Sequence, residues 1–444
     1  MDNDSIKTLY AKHIDIMQAR AKEAIEREGI EGLIIHSGQL HYQFLDDNPY
    51  PFKVNPHFKS WLPVVDNPNS WLIIDGENKP KLVFYLPVDF WHKVPEVPDA
   101  FWVPFFDIHY LKKANKVEQC LPYDLSKYAY LGEHLEVAKA LGMHLLNPDR
   151  VLHYLHYHRA YKTDYELYCM RKANSIAVKA HKVAKQSFFS GLSEYEINQE
   201  YLGVAKQSEN DMPYGNIVAL NENASILHYM LLNKAPPSTH RSFLIDAGAS
   251  YHGYAADITR TYSMEDNRFQ ELIVAVDSLT EYLVSQVTPG KEYLSLHEAA
   301  CGGIAKILSE FGVVNLLPDD IVEQGIVSTF FPHGIGHMLG LQVHDVAGHV
   351  ADDTGTAKPA PSAHPFLRCM RTIEARQVFT VEPGIYFIDS LLTELKGSEN
   401  SKYINWNTVD AFKPFGGIRI EDNVIVHSEH TENMTRELWE ESLS

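Results

Sequence analysis

The chain has 444 residues, enough for two or three domains and a large core, and its 45% hydrophobic and 22% charged content is ordinary for a globular protein. With 58 acidic against 39 basic residues, the formal charge of −19 argues against nucleic acid or an anionic membrane as a partner. There is no apolar run of about 18 residues, MDNDSIKTLY lacks the basic-then-apolar pattern of a leader, and the scattered Cys120, Cys169, Cys301 and Cys369 read as reduced thiols of a cytoplasmic protein.

In chain order, residues 5–28 place Ile6, Leu9, Ile14, Met17, Ala21, Ala24 and Ile25 near helical spacing. Strand-like runs follow at Gly32–His36, Trp71–Asp75, Lys81–Tyr85 and Tyr128–Leu131. Helices alternating with strands predict an α/β N-terminal domain over residues 1–160. Thr163-Asp-Tyr-Glu166 has the form of a capping box, opening a helix through Ala184, and Ser193-Glu-Tyr-Glu196 opens another. From Asn216 onward strand pairs alternate with helical segments near Asn267–Gln286 and Ser295–Phe311, which fits an α+β domain over residues 161–444 built on a curved antiparallel sheet. Asp352–Pro365, rich in Pro, Ala, Thr and Gly, reads as a long loop of the kind that borders an active site.

Within this second part, five residues sit in short apolar strand-like contexts: Asp246, Asp257, His337, Glu382 and Glu421. Buried carboxylates are costly unless paired or bound to metal. Oxygen donors with one imidazole suit hard or borderline divalent ions, so the pattern points to a two-metal hydrolase. Asp246 and Asp257 flank Ser250-Tyr251-His252-Gly253, which predicts a hairpin with the two aspartates opposite each other. Opposed side chains lie ~5 Å apart at Cβ, within reach of an ion pair ~3.5–4 Å across. Glu382 and Glu421 end the runs Val378–Val381 and Ile418–Ile420, with turns expected at Pro383-Gly384 and Asp422-Asn423. His333, His337 and His344 cluster, and Gly334 and Gly336 argue against a helix there. His228 is either a core histidine or a group of the site. His153, His156 and His158 have no carboxylate or cysteine beside them, so no metal role is expected, and Asp246-Ala-Gly-Ala-Ser lacks the lysine of a nucleotide-binding P-loop.

The order Asp, Asp, His, Glu, Glu in these contexts resembles the creatinase/aminopeptidase, or pita-bread, metallopeptidases. Four longer stretches resemble its bacterial Xaa-Pro dipeptidases, a subgroup that includes organophosphorus acid anhydrolases: Phe44-Leu-Asp-Asp-Asn-Pro-Tyr-Pro-Phe-Lys-Val-Asn-Pro, Tyr214-Gly-Asn-Ile-Val-Ala-Leu-Asn-Glu, Pro414-Phe-Gly-Gly-Ile-Arg-Ile-Glu-Asp and Glu432-Asn-Met-Thr-Arg. The resemblance implies a pita-bread catalytic domain, a curved antiparallel sheet with covering helices, behind the α/β domain. It implies two divalent ions per chain, manganese first with cobalt, zinc or iron as alternatives, sharing a hydroxide that attacks the peptide. Asp257 and Glu421 would bridge the ions, Asp246 would complete one site, and His337 with Glu382 the other.

By the same resemblance, Glu382 shuttles a proton to the leaving nitrogen, His344 stabilises the intermediate, His228 lies near the scissile bond, and His333 is a supporting or substrate group. Arg368 would clamp the dipeptide carboxylate, which would restrict cleavage to small dipeptides. Arg419 is either a second cationic group of the site or a structural partner of a ligand carboxylate. Tyr214, Tyr293, Val343 and Leu367 match pocket positions of the organophosphate-hydrolysing members, against ordinary core packing. Asp47 matches a loop that reaches a neighbouring site, or is a solvated turn; the expected assembly is a homodimer. The competing readings are a hydrolase whose notable activity is on organophosphorus P–F and P–O bonds, which is compatible with dipeptidase activity, aminopeptidase P, creatinase, or an inactive pita-bread binding domain. Such inactive domains lose metal ligands, and this chain keeps all five.

Overall fold

A computed structural model describes residues 3–441. The chain forms two compact units, one comprising Met1–Cys169 with Asp352–Thr356, the other Met170–Ala351 with Ala357–Ser444. No helix among the described residues is long and apolar enough to cross a membrane.

In the first unit a long helix, α1 (Asn3–Glu28), precedes a six-stranded sheet: β1 (Gly32–His36), β2 (Trp71–Ile74), β3 (Lys81–Tyr85), β4 (Asp107–Leu111), β5 (Tyr128–Leu131) and β6 (Leu145–Leu146). The spatial order is β4-β3-β2-β1-β5-β6. The β1–β2 and β2–β3 pairs are antiparallel and the rest parallel. Every residue of β1 and β2 is buried, which explains their unbroken apolar runs. Helix α2 (Asp149–Arg159) carries the three clustered histidines to different partners. His156 meets His57 (Nε2 to Nε2, 3.1 Å), His158 lies 3.5 Å from Asp353, and His153 packs against Gly355.

The units divide at Cys169, inside helix α3 (Asp164–Phe189), whereas the sequence reading placed the boundary at 160. The reason is packing. Thr163 accepts from or donates to His13 Nδ1 at 2.9 Å, and the Tyr165 ring lies 5.0 Å from Tyr10. The start of α3 thus completes the first core. Residues 352–356, part of the expected loop, return to the same unit, where Asp353 pairs with Arg27 at 2.9 Å.

The second unit continues with α4 (Glu194–Ala205), capped by the full Ser193/Glu196 box. Its strands are β7 (Ile217–Leu220), β8 (Ser242–Asp246), β9 (Ala249–Tyr251), β10 (Tyr254–Ala256), β11 (Thr259–Ser263), β12 (Val378–Val381), β13 (Gly384–Tyr386), β14 (Gly417–Arg419), β15 (Asp422–Val426) and β16 (Thr431–Asn433). All their pairings are antiparallel. They form two similar ribbons. In the first, β8 pairs β11 and, past a break in both strands, β9 pairs β10. In the second, β12 pairs β15 and, past a break in both, β13 pairs β14. The bridge Thr259↔Glu421 joins the ribbons.

The expected hairpin exists, but its register differs. His252 (φ 51°) and Gly253 (φ 85°) make a two-residue turn that favours positive φ, and it closes β9 on β10. Asp246 therefore lies opposite Thr259, and Asp257 sits in the break before β11. Nor are there turns after Glu382 and Glu421: β13 starts at Gly384 and β15 at Asp422, so both glutamates stand at strand breaks. A break interrupts the ladder and re-aims a side chain. The carbonyls it frees find other donors. Ala247 O accepts from His181 Nε2 (2.9 Å) and Gly248 O from Tyr201 (2.7 Å), both buried side chains of α3 and α4. Outside the ribbons lie α5 (Arg268–Ser285), α6 (Tyr293–Glu310) and α7 (Asp389–Gly397).

Candidate metal centre

The two ribbons bring four carboxylates to their breaks: Asp246 and Asp257 from the first, Glu382 and Glu421 from the second. His337 arrives on an extended segment beside β12, where Thr380 N donates to His337 O (3.0 Å) and Met338 bridges Phe379. Gly336 permits this approach. A Cβ there would lie 2.2 Å from Thr380 O and 2.5 Å from the Tyr293 hydroxyl.

Donor atoms of Asp257, His337 and Glu421, all buried, lie within 4.8 Å of one another. His337 Nε2 is 3.5 Å from Asp257 Oδ2 and 3.7 Å from Glu382 Oε1. His337 Nδ1 lies 3.0 Å from Met338 O, a contact that orients the ring with Nε2 toward the carboxylates. Thr259 Oγ1 donates to Glu421 Oε2 (2.7 Å), and Arg260 Nη1 donates to Glu421 O (2.7 Å). Asn423 caps Asp257, accepting from its N–H at 3.0 Å and donating to its carbonyl.

The electrostatics fit a cation site. Burial, then repulsion from Asp257 and the other carboxylates, drives Glu421 far above the usual carboxylate range. Burial also raises Glu382, to about 7 against the pull of His337 and Arg419, and raises Asp246. Burial pushes Asp257 up too, but its hydrogen bond and charge contact with His337 outweigh this and hold it low. Four acids so crowded resist full ionisation, and divalent cations remove that cost.

Around them runs a hydrogen-bond chain. Arg419 is 5% exposed; it donates to Asp246 Oδ2 (2.6 Å), Tyr386 (2.9 Å) and Thr259 (3.1 Å), so its guanidinium is engaged by a donor carboxylate. Tyr386 in turn donates to His333 Nε2 (2.9 Å), whose Nδ1 donates to Gly334 O (2.8 Å). Burial and then Arg419 depress His333 to about 3, keeping it neutral. The Tyr214 hydroxyl is 2.8 Å from Asp246 Oδ1 and 2.6 Å from Asp257 Oδ1.

A cavity of about 710 Å³ opens over these groups. His228, His333, His344, Leu367, Arg368 and Arg419 line it, together with Asp246, Asp257, His337, Glu382 and Glu421. His228 is exposed in a turn, so it is no core histidine. The His344 ring stands perpendicular to His337 at 4.4 Å, and burial, then the charge of His337, lowers it to about 4. Tyr293 and Val343 are not among the lining residues. Tyr293 is 1% exposed with its hydroxyl donating to Thr380 O (3.0 Å), and Val343 is half-buried. Asp47 belongs to the first unit and is exposed. Thr259 and Tyr386, which position the donors, escaped the sequence reading; a threonine and a tyrosine inside strand runs carry no signal beyond strand preference.

Residues 8–157 match the family "Xaa-Pro dipeptidase, N-terminal domain", and residues 168–428 match "Metallopeptidase family M24". The chain is 63% identical to an Xaa-Pro dipeptidase of Pseudoalteromonas atlantica over 97% of this chain and 98% of that protein. It is 58% identical to an Xaa-Pro dipeptidase of Shewanella woodyi over 98% and 99%. Among solved structures, aminopeptidase P from E. coli with the inhibitor Pro-Leu superposes with a TM-score of 0.73 at 22% identity, covering 98% of this chain and 97% of that one. Proline aminopeptidase P II from Yersinia pestis gives 0.72 at 22% identity, covering 97% and 96%. At such identity these structures establish the shared pita-bread fold.

Proposed function

The chain belongs to metallopeptidase family M24, in the group of the Xaa-Pro dipeptidases, and on that footing we propose that it hydrolyses dipeptides whose second residue is proline. The observation that carries this is the convergence of Asp246, Asp257, His337, Glu382 and Glu421 at a cavity of about 710 Å³, which is within the usual size of a small-molecule site. Those five residues would hold two divalent ions, and manganese would be the first choice for so oxygen-rich a set. Such a pair supplies a water nucleophile at neutral pH and a Lewis acid for the substrate carbonyl.

The protein's own groups do the rest. Arg368 lines the cavity, and no ion pair or hydrogen bond to its guanidinium occurs among the described residues, which leaves it for the substrate carboxylate. A longer peptide carries an amide at that place, so the clamp selects dipeptides. Proline makes the scissile bond a tertiary amide without an N–H, and the leaving nitrogen must gain a proton. Glu382, on the cavity wall with Oε1 3.7 Å from His337 Nε2, accepts and delivers one. His344 and His228 line the cavity, where they would stabilise the reacting carbonyl. Arg419 fixes Asp246 and anchors the Tyr386–His333 chain.

We extend the proposal to phosphorus esters and fluorides. Tetrahedral phosphorus resembles the intermediate of peptide hydrolysis, and Leu367 and Tyr214 stand at the wall and the donors. Among the described residues no cysteine is in a disulfide, which suits a reducing, cytoplasmic setting. The test is metal-stripped protein with manganese, cobalt or zinc restored, assayed on Leu-Pro, Leu-Pro-Gly, Leu-Leu and a fluorophosphonate. Leu-Pro should be cleaved with manganese and Leu-Pro-Gly barely. Equal rates on the two would make the protein an aminopeptidase instead.

A further inference from the structure

Away from the carboxylate centre, three side chains of ligand type meet at α6. His297 and Cys301 stand four residues apart on one face of that helix, 4% and 8% exposed. The half-buried His364 comes to them from the loop that continues into Pro365, Phe366, Leu367 and Arg368 of the cavity wall. His297 Nε2 lies 3.0 Å from His364 Nδ1 and 3.7 Å from Cys301 Sγ, and the three donor atoms all fall within 4.8 Å of one another. The buried His297 Nδ1 has no partner, so all polar engagement of this ring is at Nε2, toward the other two donors.

These separations match the edges of a coordination tetrahedron. With bonds of ~2.05 Å to nitrogen and ~2.3 Å to sulfur, adjacent donors lie ~3.3 Å apart for two nitrogens and ~3.5 Å for nitrogen and sulfur. A hydrogen bond between two neutral imidazoles accounts for the first distance and a weak one from the Cys301 thiol for the second, yet both converge on the one Nε2 atom, as two ligands beside a shared ion do. We propose that His297, Cys301 and His364 form a second metal site, which takes one soft or borderline ion such as zinc and ties α6 to the cavity-wall loop. The nitrogen and sulfur donors set it apart from the oxygen-rich centre and disfavour manganese. Three protein ligands leave a fourth position for water on the solvent side of His364. The binding step exchanges the Cys301 S–H bond for a sulfur–metal bond and releases one proton to solvent. Burial holds this thiol up at about 11, so the free thiol is a poor nucleophile until an ion displaces the proton.

The experiment is titration of the manganese-loaded protein with cobalt, following the near-ultraviolet thiolate-to-cobalt absorption, with zinc added afterwards as competitor. The oxygen-rich centre offers no thiolate, so the band reports this site alone, and its outcome is independent of peptidase activity. The expected result is one thiolate-bound ion per chain, bleached by zinc, absent in Cys301→Ser and at least tenfold weaker in His364→Ala. His364→Ala changes a half-buried loop residue, so it answers the question if Cys301→Ser fails to fold. No band in the wild type, or a band that survives in Cys301→Ser or is undiminished in His364→Ala, overturns the proposal.

Discussion

Tyr214 has one proton and two carboxylates within reach, so it can donate to Asp246 or Asp257 but not to both at once. Burial and the charges of those two acids hold the phenol far above its ordinary pKa, so it remains a donor. The unserved oxygen is a lone pair for a cation. Asp257→Asn replaces the donor nearest His337 with a neutral amide, and we expect loss of bound metal and at least a hundredfold fall in turnover, measured by metal analysis and a Leu-Pro assay on the same sample. Two ions per chain with near-normal turnover would remove Asp257 from the ligand set. Arg368→Ala should raise KM for Leu-Pro. A charge-assisted contact is worth ~1.5–3 kcal/mol, or roughly ten- to a hundredfold in kcat/KM. An uncharged fluorophosphonate should lose little; a parallel loss on both substrates would mean that Arg368 only anchors its loop. The five candidate donors, which line one cavity, were legible in sequence because each is an acid or imidazole among apolar strand residues. Thr259 and Tyr386 were not, because their role is set by partners 162 and 33 residues away.

The turn of the first ribbon explains why the register expected for Asp246 and Asp257 is not the one observed. A hairpin centred between Tyr251 and His252 would put Asp246 across from Asp257; the turn lies one residue on, at His252-Gly253, and the same register runs through the break to put Thr259 there instead. A break has no composition of its own, so sequence does not announce it. The repeat between the ribbons is equally silent, since it conserves a backbone path and not side chains. His337 depends on a different device, the close approach that Gly336 allows. The added methyl of Gly336→Ala meets a backbone carbonyl that cannot rotate away, and overpacking of this kind costs about 1–3 kcal/mol. We expect a lower urea midpoint and at least tenfold weaker metal binding, and a variant with unchanged metal affinity would show that the His337 segment has room to move. Asp422, fully buried, receives Arg260 (2.6 Å) and Arg436 (2.5 Å). Asp422→Ala leaves Arg260 with the carbonyls of Thr259 and Glu421 and Arg436 with Asp277 and Glu281, so the loss in urea midpoint should correspond to less than the about 3–5 kcal/mol of a fully broken buried pair.

Across the molecule, buried neutral histidines set the response to acid. Burial lowers His36 and His181 to about 3. The unfolded chain, with histidines near about 6.5, binds protons that the fold refuses. This contribution to stability is complete above that value and is lost progressively as pH falls from about 6.5 toward about 3. His36 stacks on Trp71 at 3.9 Å, so His36→Phe keeps the ring and cannot take a proton. Urea midpoints of this variant should fall less steeply than wild type below about pH 6.5; parallel slopes would show that His36 titrates normally. For assembly we propose a homodimer in which the first unit, through the segment around Asp47, borders the partner's site. Phe44 and Leu45 beside it are 89% and 91% exposed, surface that a partner would cover. Light scattering should give about 101 kDa, twice 50.5 kDa, and a fully active monomer would remove the shared site.

The two ribbons also impose an order of events on refolding. In the first, Asp246 and Thr259 are thirteen residues apart and can meet early. The hydrogen bond from Thr259 to Glu421 closes a loop of 162 residues. On loop length alone that closure is about 2 kcal/mol more costly in entropy. Amide protection in pulsed exchange should therefore rise on β8–β11 before it rises at Glu421. Metal affinity, which needs both ribbons, should arrive with the slowest phase, so an ion-sensitive dye in the refolding mixture would time the last step.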